Sequence, residues 1–348
     1  MIKNIFWNSG EHRLRAIWRQ IIQLILFSVL LLVIANGVKV LLGPLRPHSS
    51  GLHINAAGEY LLDLPLTELL SAVSALLSIW IMARFINREP FAVFGFRFNR
   101  DWWLDCGFGL LLGLVLTAAV FLVELAAGWV TITGTFYSGV AGVPFGLALL
   151  GPFILFVSAA LYEEPYFRAY PIRNLSQGLK KRGPTLATGM VLIWVLTSII
   201  FGWSHAGNPG ATPLGLINIG LAGILFGLSY MLTGSLGLSI GIHIAWDFCQ
   251  GCVFGTAVAG TTPGKAVSFI TLIQHGPALF TGGAFGTDGG LLVTLAFLLG
   301  MIPVFLYVRW RYGKASLYTE MAQYSPRAKA IASDTLAHAQ QETMAPEY

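Results

Sequence analysis

The stretch Gly151-Pro-Phe-Ile-Leu-Phe-Val-Ser-Ala-Ala-Leu-Tyr-Glu163-Glu164-Pro-Tyr-Phe-Arg168 decides how this chain must fold. It is uncharged from Gly151 to Tyr162 and then sets two adjacent carboxylates at the end of an apolar run. A helix of about 20 mainly apolar residues crosses a bilayer. Extended back to Val143, the run is long enough, and it predicts a span over Val143–Tyr166. The composition offers no soluble alternative. Of 348 residues 55% are apolar and only 11% charged, with mean hydropathy +0.70, whereas a soluble domain carries roughly 25% charged residues. These proportions exclude a large soluble enzyme, a disordered chain and a fibrous protein, and they leave a polytopic membrane protein.

Seven further runs complete the reading: Trp18–Leu42, Leu66–Phe85, Trp103–Val130, Pro184–Trp203, Pro213–Leu232, Leu236–Val258 and Gly290–Trp310. The predicted fold is therefore all-α, with about eight transmembrane helices. The first run has a basic flank, but its apolar core exceeds the roughly 7–15 residues of a signal peptide, so it reads as a retained span. Residues 1–17 form a cytoplasmic or interfacial segment, 18–312 the membrane domain, and 313–348 a polar tail, expected as a frayed helix or disordered chain. Ala259–Gly289, rich in Gly and Thr, reads as an outer loop, with a partly re-entrant course as an option.

The charges that remain are distributed unevenly. With eight spans, one side holds Lys3, Arg13, Arg15, Arg19, Arg84, Arg88, Arg97, Arg100, Arg168, Arg173, Lys180, Lys181, Arg182, Arg309, Arg311, Lys314, Arg327 and Lys329, which is 18 of the 21 basic residues. Lys39, Arg46 and Lys265 are left for the other. This is the positive-inside pattern, and it places both termini in the cytoplasm. The net charge of +5 is thus a topology signal, and no nucleic-acid partner is expected. Gly109-x-x-x-Gly113, Gly223-x-x-x-Gly227 and Gly237-x-x-x-Gly241 predict close helix packing. Cys249-x-x-Cys252 has the spacing of a redox or metal pair, but inside an apolar helix it reads as packing.

Ionisable groups inside a span are expensive and point to function. Glu163, Glu164, His205, His243 and Asp247 are the prime candidates. Glu124 is a further one, and Glu68 and Asp105 lie nearer span ends. On a helix Glu164 and Arg168 are i,i+4 neighbours with the acid first, the favourable order. Glu163 points about 100° away and is left free to act on water. Two interfacial carboxylates at a helix end would look similar. Phe201 lies one turn before His205 on the same face, where an interfacial histidine is the plain alternative. His243 and Asp247 share a face well inside an apolar helix. There a carboxylate can orient an imidazole, or both can serve a metal or an oxyanion; a pair that merely ties helices is the alternative. Glu164 and His205 lie on either side of the turn at Gly183 and come to similar heights, about 30 Å from it. His243 joins them only if the Thr233-Gly234-Ser235 connection is recessed.

Taken together, Glu163-Glu164-x-x-x-Arg168, Phe201-x-x-x-His205 and His243-x-x-x-Asp247 resemble the ordered motif set of the CPBP family, the CAAX protease and bacteriocin-processing (Abi) intramembrane proteases. The resemblance covers about 161–251; the third motif ends in Asp, where the family has Asn or Asp. It implies an all-helical intramembrane endopeptidase acting on a membrane-associated peptide or protein, in a bacterial plasma membrane. In a metal-free version Glu163 is the base, His205 positions water, and His243 with Asp247 serves the oxyanion, while Glu164, supported by Arg168 and Phe201, orients the site. In a metal version His205, His243 and Glu163 hold a divalent ion, taken as Zn²⁺. Two other readings stand beside these: a non-enzymatic bacteriocin-immunity or scaffold protein, and a proton-relaying transporter, which lacks a visible inverted repeat.

Overall fold

The computed structural model describes residues 3–42, 56–179, 184–324 and 326. Nine helices carry the architecture: α1 (Ala16–Leu42), α2 (Ala56–Ile81), α3 (Arg100–Ala126), α4 (Leu150–Glu164), α5 (Tyr170–Gly178), α6 (Pro184–Ser204), α7 (Pro213–Thr233), α8 (Gly237–Phe248) and α9 (Leu291–Tyr312). Among the described residues seven runs are long and apolar enough to cross a membrane: α1, α2, α3, α4 continued into α5, α6, α7 and α9. The protein is an all-α polytopic membrane protein. Large apolar side chains such as Leu32, Leu122, Ile199 and Leu306 stay exposed on the outer faces of these helices, as lipid contact requires.

The run expected over Leu236–Val258 is shorter than the others. It is helical from Gly237 to Val253, about 25 Å at 1.5 Å per residue. It stops because Gly255 turns the chain with φ +68°, a conformation that suits glycine. A Cβ there would strike the carbonyl oxygen of Ile270. This short helix is the most enclosed: Gly237 to His243, Ala245 and Trp246 are all buried.

Local sequence sets the element ends. Asn99 caps α3 by accepting from the Trp102 N–H at 3.0 Å. Thr212 caps α7 by accepting from Gly215 N–H at 3.0 Å, with Pro213 at the first helical position where no N–H is missed. The glycine pairs act as expected. A Cβ on Gly109 would lie 2.5 Å from the Leu238 carbonyl oxygen, and one on Gly113 2.6 Å from that of Ile242. Facing them, Gly241 packs on the Cys106 carbonyl. So α3 and α8 meet backbone to backbone. Gly223 and Gly227 make room for α6 side chains, Ser198 against the first and the Trp194 indole against the second.

The α7–α8 connection is recessed. Leu236 N–H donates to the Gly95 carbonyl at 3.1 Å, and Tyr318 N–H donates to the Met231 carbonyl at 2.7 Å. Residues 91–96 and the chain beyond α9 therefore cover it. That chain departs from the expected frayed tail: Met321 is buried and Tyr324 lies 3.7 Å under the Arg13 guanidinium. The aromatic side chains Tyr318 and Tyr324 anchor what the polar composition concealed. The rest of the tail, the basic turn Lys180-Lys181-Arg182, Arg46, Arg327 and Lys329 lie outside the described residues.

The loop expected over Ala259–Gly289 contains a strand, β2 (Val267–Gln274), antiparallel to β1 (Val130–Ser138) from Val130 opposite Gln274 to Ser138 opposite Val267. β-branched and aromatic residues in both segments favour this pairing. The third span accordingly ends at Ala126, before β1 begins.

Candidate active site

Helix α4 does not stop at its carboxylates. A π turn, Pro165–Ala169, carries it into α5. Pro165 has no N–H to give to the preceding turn and its ring crowds that carbonyl. The extra residue of a π turn absorbs the mismatch. A second π turn, Cys249–Val253, follows Asp247. Each of these motif pairs thus sits immediately before a widened helical turn.

The three motifs converge. Glu164, fully buried, places Oε1 3.2 Å from Nη1 of Arg168 and 2.9 Å from Nδ1 of His243. Nε2 of His243 faces Oδ2 of Asp247 at 3.3 Å and Oε2 of Glu163 at 3.6 Å. The other oxygen of Glu163 faces Nε2 of His205 at 4.0 Å. Nδ1 of His205 lies 2.9 Å from the Phe201 carbonyl oxygen, so Nδ1–H donates to it and Nε2 is directed at Glu163. Aromatic faces hold the charged groups in register. The Arg168 guanidinium lies 3.9 Å over the Phe201 ring, a cation–π contact. Phe226 stacks on His243 with centroids 4.9 Å apart. Glu163, His205, His243 and Asp247 line one cavity of about 60 Å³, with Phe201 and Trp246 among its walls.

The predicted groups Glu163, Glu164, Arg168, Phe201, His205, His243 and Asp247 are thus all brought together. Of the remaining candidates, Glu68 lies close enough to feel the charges of Glu163, His205, Asp247 and His243, with its Oε2 buried and unpartnered; Asp105 and Glu124 lie elsewhere. Asp105 accepts from the Tyr307 and Tyr312 hydroxyls at 2.9 and 2.7 Å, which ties α3 to α9. Glu124 lines a different cavity. Cys249 and Cys252 are buried free thiols, as packing residues would be.

Two residues at the site carry no motif in the sequence. Phe226 reads as one apolar residue among many in α7. Asp288 lies in a glycine-rich loop outside the spans, yet it is fully buried against the cavity. It accepts from Trp246 Nε1 at 3.1 Å, Gln250 Nε2 at 2.8 Å and Ala259 N–H at 2.8 Å. Burial pushes its carboxyl up to about 6, against the opposing pull of those hydrogen bonds. The one signal available was an isolated acid in a nearly uncharged loop.

Two Nε2 atoms aimed at one carboxylate supply the donor types of a catalytic zinc set. Their spacing does not follow. Among the described residues no group of three or more His, Cys, Asp or Glu side chains is placed to hold a metal ion, and His243 Nε2 is shared between Glu163 and Asp247. The side chains as they stand do not fit an ion cage.

A membrane-embedded all-α fold thus gathers Glu163, His205, His243, Asp247 and Asp288 around one small cavity, with Glu164 behind His243. Residues 145–249 match the family model described as Rce1-like, type II CAAX prenyl endopeptidase. The match contains all three motifs and agrees with the CPBP resemblance. No curated protein and no solved structure matches the chain significantly.

Proposed function

We propose that the protein is an intramembrane endopeptidase of the CAAX-protease type, hydrolysing a peptide bond in a membrane-associated peptide or protein. One observation carries the reading: Glu163 faces both His205 and His243 across a cavity walled by apolar helices. Glu163 and His205 stand 4.0 Å apart, too far for a direct hydrogen bond and close enough for one water to bridge them. Glu163 takes a proton from that water as its oxygen attacks the scissile carbonyl carbon. His243, held by Glu164 and flanked by Asp247, donates from Nε2 to the developing oxyanion. The tetrahedral centre collapses, the C–N bond breaks, and Glu163 returns its proton to the leaving amine. No step of this scheme is routed through a metal.

The family's description makes a prenylated C-terminal CAAX sequence the first substrate to test. The charge asymmetry supports termini in the cytoplasm, and the family resemblance supports a bacterial plasma membrane. The test is comparative peptidomics of cells carrying the intact protein or Glu163→Ala. The proposal expects a membrane peptide whose cleaved form vanishes in the variant. Undiminished cleavage removes Glu163 from the mechanism, and a cellular phenotype retained by the variant favours a scaffold role.

A further inference from the structure

Trp246 is a wall shared by two cavities. The second has a volume of about 10 Å³ and is lined by Thr117, Glu124, Trp246, Gln250, Thr256 and Thr287, with apolar side chains closing it. Glu124 is fully buried near the end of α3, and neither of its oxygens has a hydrogen-bond partner. Gln250 donates from Nε2 to the Ala257 carbonyl at 2.6 Å and to Asp288 Oδ2 at 2.8 Å. Two acceptors on one nitrogen fix the orientation of the amide. Its Oε1 is buried and unpartnered. The hydroxyls of Thr117 and Thr256 are spent as donors, to the Gly113 carbonyl at 2.8 Å and the Gln250 carbonyl at 3.0 Å. Trp246 Nε1 is spent on Asp288. Three orphan acceptor oxygens therefore have the Thr287 hydroxyl as the one free donor on the cavity wall, the Cys249 thiol being engaged with Thr117.

A buried carboxylate needs a compensating positive charge, and buried acceptors need something to receive. One small cation supplies both. Hard monovalent and divalent cations take oxygen ligands, but a divalent ion would leave one uncompensated charge beside the single carboxylate. The space is that of one water-sized body. We propose that this cavity is a binding site for one desolvated monovalent cation of sodium size, held by Glu124 and Gln250 with Thr117 and Thr256. Gln250 would be fixed at both ends by it, one end on the cation and the other on Asp288, which forms part of the catalytic cavity's wall. The proposal does not depend on the peptidase reading, since binding is read from stability and stoichiometry.

The experiment compares thermal unfolding of the full chain in lipid nanodiscs in sodium, potassium and choline chloride at equal ionic strength. For the intact protein, saturating sodium is expected to raise the midpoint by about 2–4 °C over choline, with potassium giving less. Glu124→Gln is expected to unfold at one temperature in all three salts. Equilibrium dialysis with radiolabelled sodium should give one ion per intact chain, and this measurement decides the matter even if the variant does not fold. Equal midpoints in sodium and choline with no retained label would overturn the site, and would point to a protonated Glu124 with a water in the cavity. A sodium shift that survives in Glu124→Gln would overturn it too.

Discussion

Oε1 of Glu164 lies 2.9 Å from Nδ1 of His243, while the same oxygen pairs with Arg168 at 3.2 Å. One buried oxygen therefore joins the first motif to the third across 79 residues of chain. It holds the imidazole so that its other nitrogen faces Glu163 and Asp247. In the proposed mechanism the neighbouring carboxylates have different tasks: Glu164 positions, and Glu163 is left to act.

Replacing these two acids separates the tasks. Glu163→Gln is expected to lower cleavage by about 10²- to 10⁴-fold, the usual contribution of a general base, with the thermal midpoint kept. Glu164→Gln is expected to lose cleavage and stability together. Peptide-cleavage rates paired with unfolding midpoints check both; a stable, fully active Glu164→Gln would remove its positioning role.

Arg168→Ala leaves the Glu164 carboxylate buried without its cation. Breaking a buried pair from one side costs about 3–5 kcal/mol. The expected outcome is a sharply lowered denaturation midpoint, partly recovered by Arg168→Lys, which restores the charge but loses the planar stacking on Phe201.

The α3–α8 interface has no room for side chains at its glycines. Gly241→Val is expected to push α8 away from Cys106, at about 1–3 kcal/mol for such overpacking, and to reduce cleavage because His243 moves with the helix. Gly207→Val has nothing within 4 Å to meet and serves as the control, with stability near that of the parent.

Asp288 gives a pH dependence of known sign. Its carboxyl is raised from 3.8 to about 6 in the folded protein. The folded state therefore holds the proton more tightly than the unfolded chain. Stability from this group is fully present below pH ~4 and is lost as pH rises through about 6, by about 3 kcal/mol in all. Unfolding midpoints between pH 4 and 7 should fall in the parent protein, and that part of the slope should be missing in Asp288→Asn.

Metal dependence is directly measurable. The spacing around His205, His243 and Glu163 leads to the expectation of less than one equivalent of zinc per purified chain, unchanged by His205→Ala. One tightly held equivalent, lost in that variant together with activity, would show that the side chains close around an ion.

The sequence made the spans and the site residues visible because both are local patterns. Apolar length declares a span, and i,i+4 spacing places Glu164 with Arg168 and His243 with Asp247. The pairing of Glu164 with His243 was not readable, since nothing local relates α4 to α8. Asp288 reached the site through a loop fold, and β1 found β2 across more than a hundred residues. Docking of Tyr318 over the α7–α8 connection likewise depends on tertiary contact, so the tail's polar composition misled.

The π turns after Glu164 and Asp247 have a consequence for tolerance to change in chain length. Each contains one residue more than an ordinary turn, and the turn widens to absorb it. The five residues of the first sweep about the same angle as four residues of α-helix, so removing Tyr166 would let the turn relax to α geometry with α5 kept in phase with the carboxylates. The faces of α5 that grip α1 and the 319–324 segment would keep their neighbours. A single-residue deletion at these two places is therefore a milder lesion than one inside an ordinary α-helical turn, where everything beyond it turns by about 100°.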